Sequence, residues 1–222
     1  MQLLALIPAR MGSQRLARKN LRELGGLPLI VRAIRKCVDC NEFDEVWVNS
    51  ENAQFGEIAS TENVKFHLRP EALGGNAATS EQYIAEFLQA HECEWVVQVH
   101  SIAPLLTTAE VAAFVRHVRQ SEADVVLSYE PIQIECAYKG QPVNFTFEAK
   151  TNSQDLTPLQ RISWSITAWR RSAFLGALNS ANCATYSGKI DYFSLGWFAS
   201  HVIKTEEDLR IAEALLPLVK GA

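Results

Sequence analysis

Residues 3–21, LLALIPARMGSQRLARKNL, set the organisation of the whole chain. The run from residue 3 to residue 7 is continuously apolar, which is typical of a β-strand covered on both faces. It ends in a loop that contains Gly12 and four cationic side chains, Arg10, Arg15, Arg18 and Lys19. A strand that delivers a basic, glycine-containing loop to the edge of a sheet is suited to holding a polyphosphate. The alternative is an exposed basic loop that holds no ligand.

Composition places this loop in an otherwise ordinary globular chain. The 222 residues are enough for one well-buried domain and too few for two ordinary ones. The net charge of -4 argues against a general binder of nucleic acid or membrane surfaces, whose basic patch would dominate the balance. There is no signal-peptide pattern, and no apolar run approaches the ~18 to 20 residues of a spanning helix. We therefore expect neither nucleic acid nor a membrane as a partner.

The five cysteines are scattered along the chain, at Cys37, Cys40, Cys93, Cys136 and Cys183. An odd, dispersed set in a chain of this size suits a reducing compartment better than a disulfide framework. The sequence therefore predicts a cytoplasmic protein.

Apolar segments of strand and helix type alternate up to residue 129. After the loop, Pro28 opens a predicted helix, and Thr79 with Gln82 and Thr107 with Glu110 form capping boxes for two more. The first of these boxed helices is predicted to bury Tyr83. A fourth helix is predicted at 52–61, and strands are predicted at 45–48, 64–68, 95–99 and 124–128. This alternation predicts an α/β fold, a three-layer sandwich around a mostly parallel sheet.

The pattern changes at about 130–171, where Pro, Gly, Thr and aromatic residues accumulate and 143–147 is the clearest predicted strand. We interpret this segment as a small inserted hairpin or arm, serving either as an oligomer contact or as a lid. Residues 197–203 predict a further strand, and Thr205 begins a last helix with three acids in its first turn. A single domain spanning 1–222 with one insertion accounts for the pattern.

The basic loop has the groups that a nucleoside triphosphate needs. Backbone N–H groups near Gly12 and Ser13, together with Arg10 and Lys19, can surround several anionic oxygens. The loop is neither the GxxxxGK[ST] of a P-loop nor the GxGxxG of a dinucleotide fold.

Several stretches resemble one known family. IPARMGSQRLARKNL at 7–21, followed by GGLPLIVRAI at 25–34, resembles the N-terminal signature of the acylneuraminate cytidylyltransferases, the CMP-sialic acid synthetases. Further similar segments are VWVNSE at 46–51, LRPEAL at 68–73, APLL at 103–106 and TEEDLRIAEALL at 205–216. The 3-deoxy-manno-octulosonate cytidylyltransferases open similarly, but the KNL at 19–21 resembles the sialate branch more. The resemblance implies a Rossmann-like, nucleotide-diphospho-sugar transferase sheet.

The resemblance also implies a reaction and the residues that carry it. CMP would be transferred from CTP to a nine-carbon, sialic-acid-like keto sugar, with release of pyrophosphate. By position, Arg10, Ser13 and Lys19 would hold the triphosphate, while Gly12 would let the backbone approach it closely. The implied partners are CTP, a keto acid sugar and a second copy of the chain, which would form a homodimer through the inserted arm.

The nucleotide pocket implied by the resemblance adds three residues. Arg69 and Asn76 would line it, and His100 takes the place of the family's glutamine at the end of the central strand. Because His100 departs from the family pattern, the identity of the base stays open.

Other departures concern the metal and the sugar. The family holds Mg²⁺ with two aspartates, whose places fall on Val202 and Lys204, and neither side chain can be a ligand. Mg²⁺ thus remains a possible cofactor without its usual ligands. Either Lys204 acts in catalysis as a point charge on phosphate, or the protein binds a nucleotide or nucleotide sugar without turnover. For the sugar, Leu106 replaces an arginine, and SWSITAW at 163–169 replaces the family's RPNGAIY.

Overall fold

The computed structural model describes residues 1–180 and 182–221, and within them a run of short strands and helices. The strands are β1 (Leu3–Pro8), β2 (Glu23–Leu24), β3 (Leu27–Pro28), β4 (Glu45–Ser50), β5 (Lys65–Leu68), β6 (Trp95–Val99), β7 (Val125–Ile132), β8 (Ala137–Tyr138), β9 (Gln141–Pro142), β10 (Leu159–Arg170) and β11 (Ile190–Ser194). The α-helices are α1 (Leu29–Asp39), α2 (Gln54–Thr61), α3 (Ser80–Ala90), α4 (Thr108–Gln120), α5 (Arg171–Asn179) and α6 (Glu206–Leu215).

Seven strands form one sheet in the order β11-β7-β10-β6-β1-β4-β5. β1 lies near the middle and pairs in parallel with β6 on one side and β4 on the other. All neighbouring pairs are parallel except those of β10, which runs antiparallel to both β6 and β7. The predicted strand at 3–7 and the mostly parallel sheet are confirmed.

Helices cover both faces of this sheet. The side chains of Leu3, Ala5 and Ile7 pack into a core on one face, where α1, α2 and α4 contribute. Leu4 and Leu6 point to the opposite face, which α3 and α5 cover. Because strand side chains alternate between faces, the unbroken apolar run of β1 is what a strand buried on both sides requires. The three-layer sandwich is confirmed.

The helix starts follow the sequence signals. The side chain of Thr79 accepts a hydrogen bond from the backbone N–H of Gln82, and the Gln82 side chain accepts one from the backbone N–H of Thr79. Thr107 and Glu110 form the same reciprocal pair. Thr205 and Asp208 form the same box at α6. Each box satisfies donors that the first helical turn leaves unpaired.

The predicted arm is corrected at both ends. β7 continues to Ile132, and residues 159–170 belong to β10, which lies inside the sheet between β6 and β7. The inserted segment is therefore 133–158, with β8 and β9 forming a two-stranded hairpin inside it. The strand predicted at 143–147 is wrong: Val143 and Phe147 are exposed, and no strand lies beside them in the described chain to complete a ladder.

The strand predicted at 197–203 is also wrong. This segment is a turn and coil, whose Ala199 and Ile203 are buried beneath other elements. The strand at this edge of the sheet is β11, five residues long and partly exposed. An apolar run indicates burial, and burial does not require a strand.

β10 contains a backbone irregularity that bears on the site. Its register with β7 shifts between Ile162 and Thr167, and Trp164 within the shift has φ 59°. A bulky residue in the left-handed region is unusual and marks a bulge that redirects the strand. The bulge falls in the 163–169 segment that departs from the family pattern.

Two further observations concern the chain's environment. No described helix has both the length and the apolar character needed to cross a membrane. All five cysteines are free thiols.

Candidate active site

A cavity of about 360 Å³ opens at the carboxyl ends of β1 and β6. Parallel strands bring their carboxyl ends to one edge of the sheet, which is where open α/β sheets bind ligands. The cavity is lined by Pro8, Ala9, Arg10, Ser13, Arg15, Lys19, Asn20, Arg69, Leu73, Gly75, Asn76, Ala78, Ser80, Tyr83, His100 and Ile102. The basic loop after β1 therefore forms one wall, and the segment from β5 into α3 faces it.

Arg10 joins these two walls. Its Nη1 donates to Asn76 Oδ1 at 3.2 Å and to the carbonyl oxygen of Gly75 at 3.4 Å. Both bonds are exposed and both accepting oxygens are neutral, so neither bond neutralises the charge of the guanidinium.

Lys19 adds a second cation from the far end of the loop. Its Nζ donates to the carbonyl oxygen of Ile203 at 3.1 Å. Burial lowers the pKa of Lys19 from its usual value, and the nearby charges of Arg15 and Arg10 lower it further. Asp208 opposes this shift and Lys204 adds to it. The crowding of like charges creates a region of positive potential that an anion would relieve.

Asn20 fixes the loop to the rest of the site. It is buried, its Nδ2 donates to the carbonyl oxygen of Arg10 at 3.0 Å, and its Oδ1 accepts from Ser101 Oγ at 2.7 Å. Ser101 follows β6, so one amide joins the ends of β1 and β6. The sequence places Asn20 directly after Lys19 but gives no local sign of these contacts.

Arg69 lines the cavity and also links buried groups from neighbouring strands. Its guanidinium donates to Asn49 Oδ1 at 2.7 Å, to the carbonyl oxygen of Ala9 at 2.8 Å and to Glu51 Oε2 at 2.9 Å. Glu51 Oε1 in turn accepts from the backbone N–H of Met11 at 2.8 Å. Burial lowers the pKa of Arg69 from its usual value, and Glu51 opposes the shift. Arg69 thus ties the ends of three strands together.

His100 and Tyr83 form a neutral part of the wall. Burial, followed by the charge of Lys19, lowers the pKa of His100 to about 4. Burial raises the pKa of Tyr83 to about 12. Both side chains are therefore uncharged at neutral pH. The backbone N–H of His100 donates to the carbonyl oxygen of Ser165, inside the bulge of β10, at 3.1 Å.

The structure brings six of the eight predicted site residues to this cavity: Arg10, Ser13, Lys19, Arg69, Asn76 and His100. Gly12 does not line it, and a Cβ built there would meet nothing within 4 Å. Lys204 is exposed on the segment before α6 and does not line it either. Lys204 is nevertheless close enough to influence Lys19 electrostatically.

Tyr83 was predicted only as a buried residue of α3. Its ring lies under the Arg69 guanidinium, with the Arg69 Cζ 4.9 Å from the ring centroid. The helical spacing identified its inward direction, but the hydroxyl's position at the cavity depends on tertiary contacts. Arg15, already noted in the basic loop, lines the cavity as well.

The residues near Lys204 do not fit a carboxylate-held Mg²⁺. The Asp208 carboxylate accepts from the backbone N–H groups of Lys204 and Thr205, each at 2.8 Å, and so is committed to capping α6. Across 1–180 and 182–221, no group of three or more His, Cys, Asp or Glu side chains is arranged to hold a metal ion.

A family model described as Cytidylyltransferase matches residues 4–194 of the chain. The chain belongs to the cytidylyltransferase family. The match covers the sheet, the basic loop and all of the cavity-lining residues.

Individual cytidylyltransferases show where the similarity is concentrated. N-acylneuraminate cytidylyltransferase A of Danio rerio is 31% identical over 125 residues, 56% of this chain and 29% of that protein. A 3-deoxy-manno-octulosonate cytidylyltransferase of Chlorobium chlorochromatii is 32% identical over 108 residues, 48% of this chain and 42% of that protein. The match therefore spans less than half the length of either relative.

The fold is also found in a solved structure, that of CMP:2-keto-3-deoxy-manno-octonic acid synthetase complexed with CTP. The TM-score is 0.75 at 16% sequence identity, over 98% of this chain and 99% of that one. At this identity the likeness establishes the Rossmann-like nucleotidyltransferase fold and leaves the substrate open.

Proposed function

We propose that the chain transfers CMP from CTP to a sialic-acid-like, nine-carbon keto sugar and releases pyrophosphate. The observation that carries the proposal is the cavity at the carboxyl edge of the sheet, with Arg10, Arg15 and Lys19 on one wall. Three cations with so little neutralising charge suit a triphosphate, and membership of the cytidylyltransferase family favours CTP.

The transfer is a single displacement. The acceptor hydroxyl oxygen bonds to the α-phosphorus, and the bond from that phosphorus to the oxygen bridging to the β-phosphate breaks. Pyrophosphate leaves with that electron pair, and the hydroxyl proton passes to solvent. In this scheme Arg10, Arg15 and Lys19 hold the β- and γ-phosphates and stabilise the charge that develops on the leaving group.

The test is pyrophosphate release from CTP with nine-carbon and eight-carbon keto acid sugars, tried separately because relatives of both kinds match. Arg15→Gln should lower kcat/KM about tenfold or more, since it removes a charge from the leaving-group side. Arg18→Gln is the matched control: Arg18 belongs to the same loop, is exposed and does not line the cavity. Equal activity of the two variants would contradict the proposed role of the basic wall.

A second candidate is a nucleotide or nucleotide-sugar binding protein with lost turnover. The observation that favours it is the replacement of the family's metal ligands by Val202 and Lys204, near which no metal-holding group exists among the described residues. CTP binding without pyrophosphate release, whichever sugar is supplied, would establish this candidate in place of the enzyme.

If the chain is an enzyme, we propose that Lys204 replaces the positive charge of Mg²⁺, although its side chain lies outside the cavity wall. Turnover should then persist in excess EDTA, and Lys204→Ala should lower kcat about tenfold or more. Lys220→Ala, at another exposed lysine, should change little. Loss of activity on chelation, restored by Mg²⁺, would contradict this role for Lys204.

We further propose that the chain forms a homodimer through the arm at 133–158. The arm exposes Ile134, Tyr138, Val143 and Phe147, each more than half accessible. Such a density of exposed apolar side chains is typical of a contact surface.

A further inference from the structure

Three side chains on the cavity wall form a hydrogen-bonded row centred on Gln98. Gln98 lies in β6 and is 1% exposed. Its Nε2 lies 3.0 Å from Tyr83 Oη and 2.5 Å from His100 Nε2. Tyr83 comes from α3 and His100 directly follows β6.

The direction of these bonds follows from the amide. An amide nitrogen carries two hydrogens and cannot accept, so Gln98 donates to both neighbours. His100 Nε2 must then be the accepting nitrogen, which places the hydrogen of the neutral ring on Nδ1. Tyr83 Oη also accepts, which leaves its own hydroxyl hydrogen available. The row thereby fixes one tautomer of His100 and one role of Tyr83.

This arrangement leaves one unused donor on each of two side chains that line the cavity. In the part of the chain that the structure describes, no hydrogen bond uses His100 Nδ1 or the Tyr83 hydroxyl hydrogen. Both residues line the cavity. Burial keeps His100 neutral by lowering its pKa to about 4 and keeps Tyr83 protonated by raising its pKa to about 12. Neither donor is lost near neutral pH.

The ligand edge that suits two neighbouring donors has two neighbouring acceptors. Cytosine presents O2 and an unprotonated N3 side by side, whereas uracil carries a hydrogen on N3. The cations Arg10, Arg15 and Lys19 attract the phosphates, while the uncharged side chains of Tyr83 and His100 line the same cavity and can face the base. We propose that Tyr83 and His100, oriented by Gln98, select cytosine over uracil by donating to O2 and N3. This inference rests on the proposed function, because it takes the ligand to be a nucleoside triphosphate.

The sharpest variant is Gln98→Glu, which keeps the volume and reverses the hydrogen bonds. An ionised carboxylate accepts from the Tyr83 hydroxyl and from His100 Nε2–H. In a neutral His100 ring the hydrogen then leaves Nδ1, and that nitrogen becomes an acceptor. The preference should then move towards UTP. His100→Gln, whose amide can turn to donate or accept, should reduce the preference without reversing it. Gln89→Glu makes the same change at an exposed position of α3 and is the control.

The measurement is the ratio of the Kd values for UTP and CTP, by calorimetry on the full chain, with thermal unfolding to show that each variant is folded. The wild type should prefer CTP about tenfold or more, and Gln98→Glu should lower the ratio by at least that factor. Tyr83→Phe gives a second, milder test, since it removes one donor and keeps the ring. In ¹⁵N NMR spectra, wild-type His100 should carry its hydrogen on Nδ1, and Gln98→Glu should move it to Nε2.

These measurements distinguish a failure of the base-selection proposal from a failure of the proposed function. An unchanged ratio in Gln98→Glu, His100→Gln and Tyr83→Phe, or a wild-type hydrogen on Nε2, would overturn base selection while leaving the transferase proposal intact. A change only in the KM of the acceptor sugar would also overturn it, by assigning this wall to the sugar. Absence of binding of any nucleotide to the wild type would overturn the proposed function and the selection together.

Discussion

Lys36 shows how one buried amine ties a helix to the loop that follows β6. It lies in α1, is 5% exposed, and its Nζ donates to the carbonyl oxygen of Pro104, in the loop after β6. Burial, followed by the charge of Arg32, lowers the pKa of Lys36 to about 7. Between that value and the usual 10.5 the unfolded chain binds one proton more than the folded one. Stability contributed through Lys36 therefore rises with pH over this window and falls as the pH drops towards 7.

Lys36→Met should remove this pH dependence. The free energy of unfolding of the variant minus that of the wild type should fall by about 1.4 kcal/mol per pH unit between pH 8 and 10. Urea unfolding at pH 7, 8, 9 and 10 measures it. Lys189→Met, at an exposed lysine, should give a difference that changes little with pH. A pH-independent difference for Lys36→Met would show that the folded-state pKa of Lys36 is not depressed.

The site residues that the sequence identifies form patterns with their neighbours in the chain, whereas those it does not identify depend on distant partners. The basic loop was recognisable because its charges are close together in the chain. Asn20 and Glu51 were not recognisable, because their importance comes from Ser101 and Met11, which lie 81 and 40 residues away. A buried amide or carboxylate has value only through its partners, and sequence spacing does not identify them.

Secondary structure shows the same division. The capping boxes of α3 and α4 are predictable because all their partners lie within three residues. The strands β1 and β6 are predictable because burial on both faces leaves an unbroken apolar pattern. β10 lies in the segment that the sequence assigns to the arm, because Pro, Gly, Thr and aromatic residues accumulate there. In the structure it carries a bulge, with Trp164 at φ 59°. Its place between β6 and β7 results from long-range pairing alone.

The capping box of α4 provides a test of a local signal. Thr107 Oγ1 accepts from the backbone N–H of Glu110 at 3.1 Å, so Thr107→Ala leaves that donor without its cap. We expect the free energy of unfolding to fall by about 1 kcal/mol. Thr108→Ala, one residue inside the same helix, keeps the box and should cost clearly less. Equal losses in urea unfolding would mean that the cap adds no stability of its own.

For the molecule as a whole, the sheet places the candidate active-site cavity and the arm on different connections. The cavity uses the segments that follow β1, β5 and β6, whereas the arm at 133–158 joins β7 to β10. The β10 strand to which the arm leads also carries the bulge whose Ser165 carbonyl fixes the backbone of His100. A contact made by the arm is therefore connected through β10 to the backbone of the cavity wall.

Dimerisation through the arm is tested most directly at Phe147, which is 70% exposed. If this side chain is buried between two copies, Phe147→Ser should weaken association about tenfold or more, because a large apolar contact is replaced by a hydroxyl. Light scattering after size exclusion, over a range of concentrations, measures the shift from dimer to monomer. Leu218→Ser is the matched control, since Leu218 is 68% exposed and lies outside the arm. A monomeric wild type, or a dimer equally weakened by both changes, would exclude the arm as the specific contact.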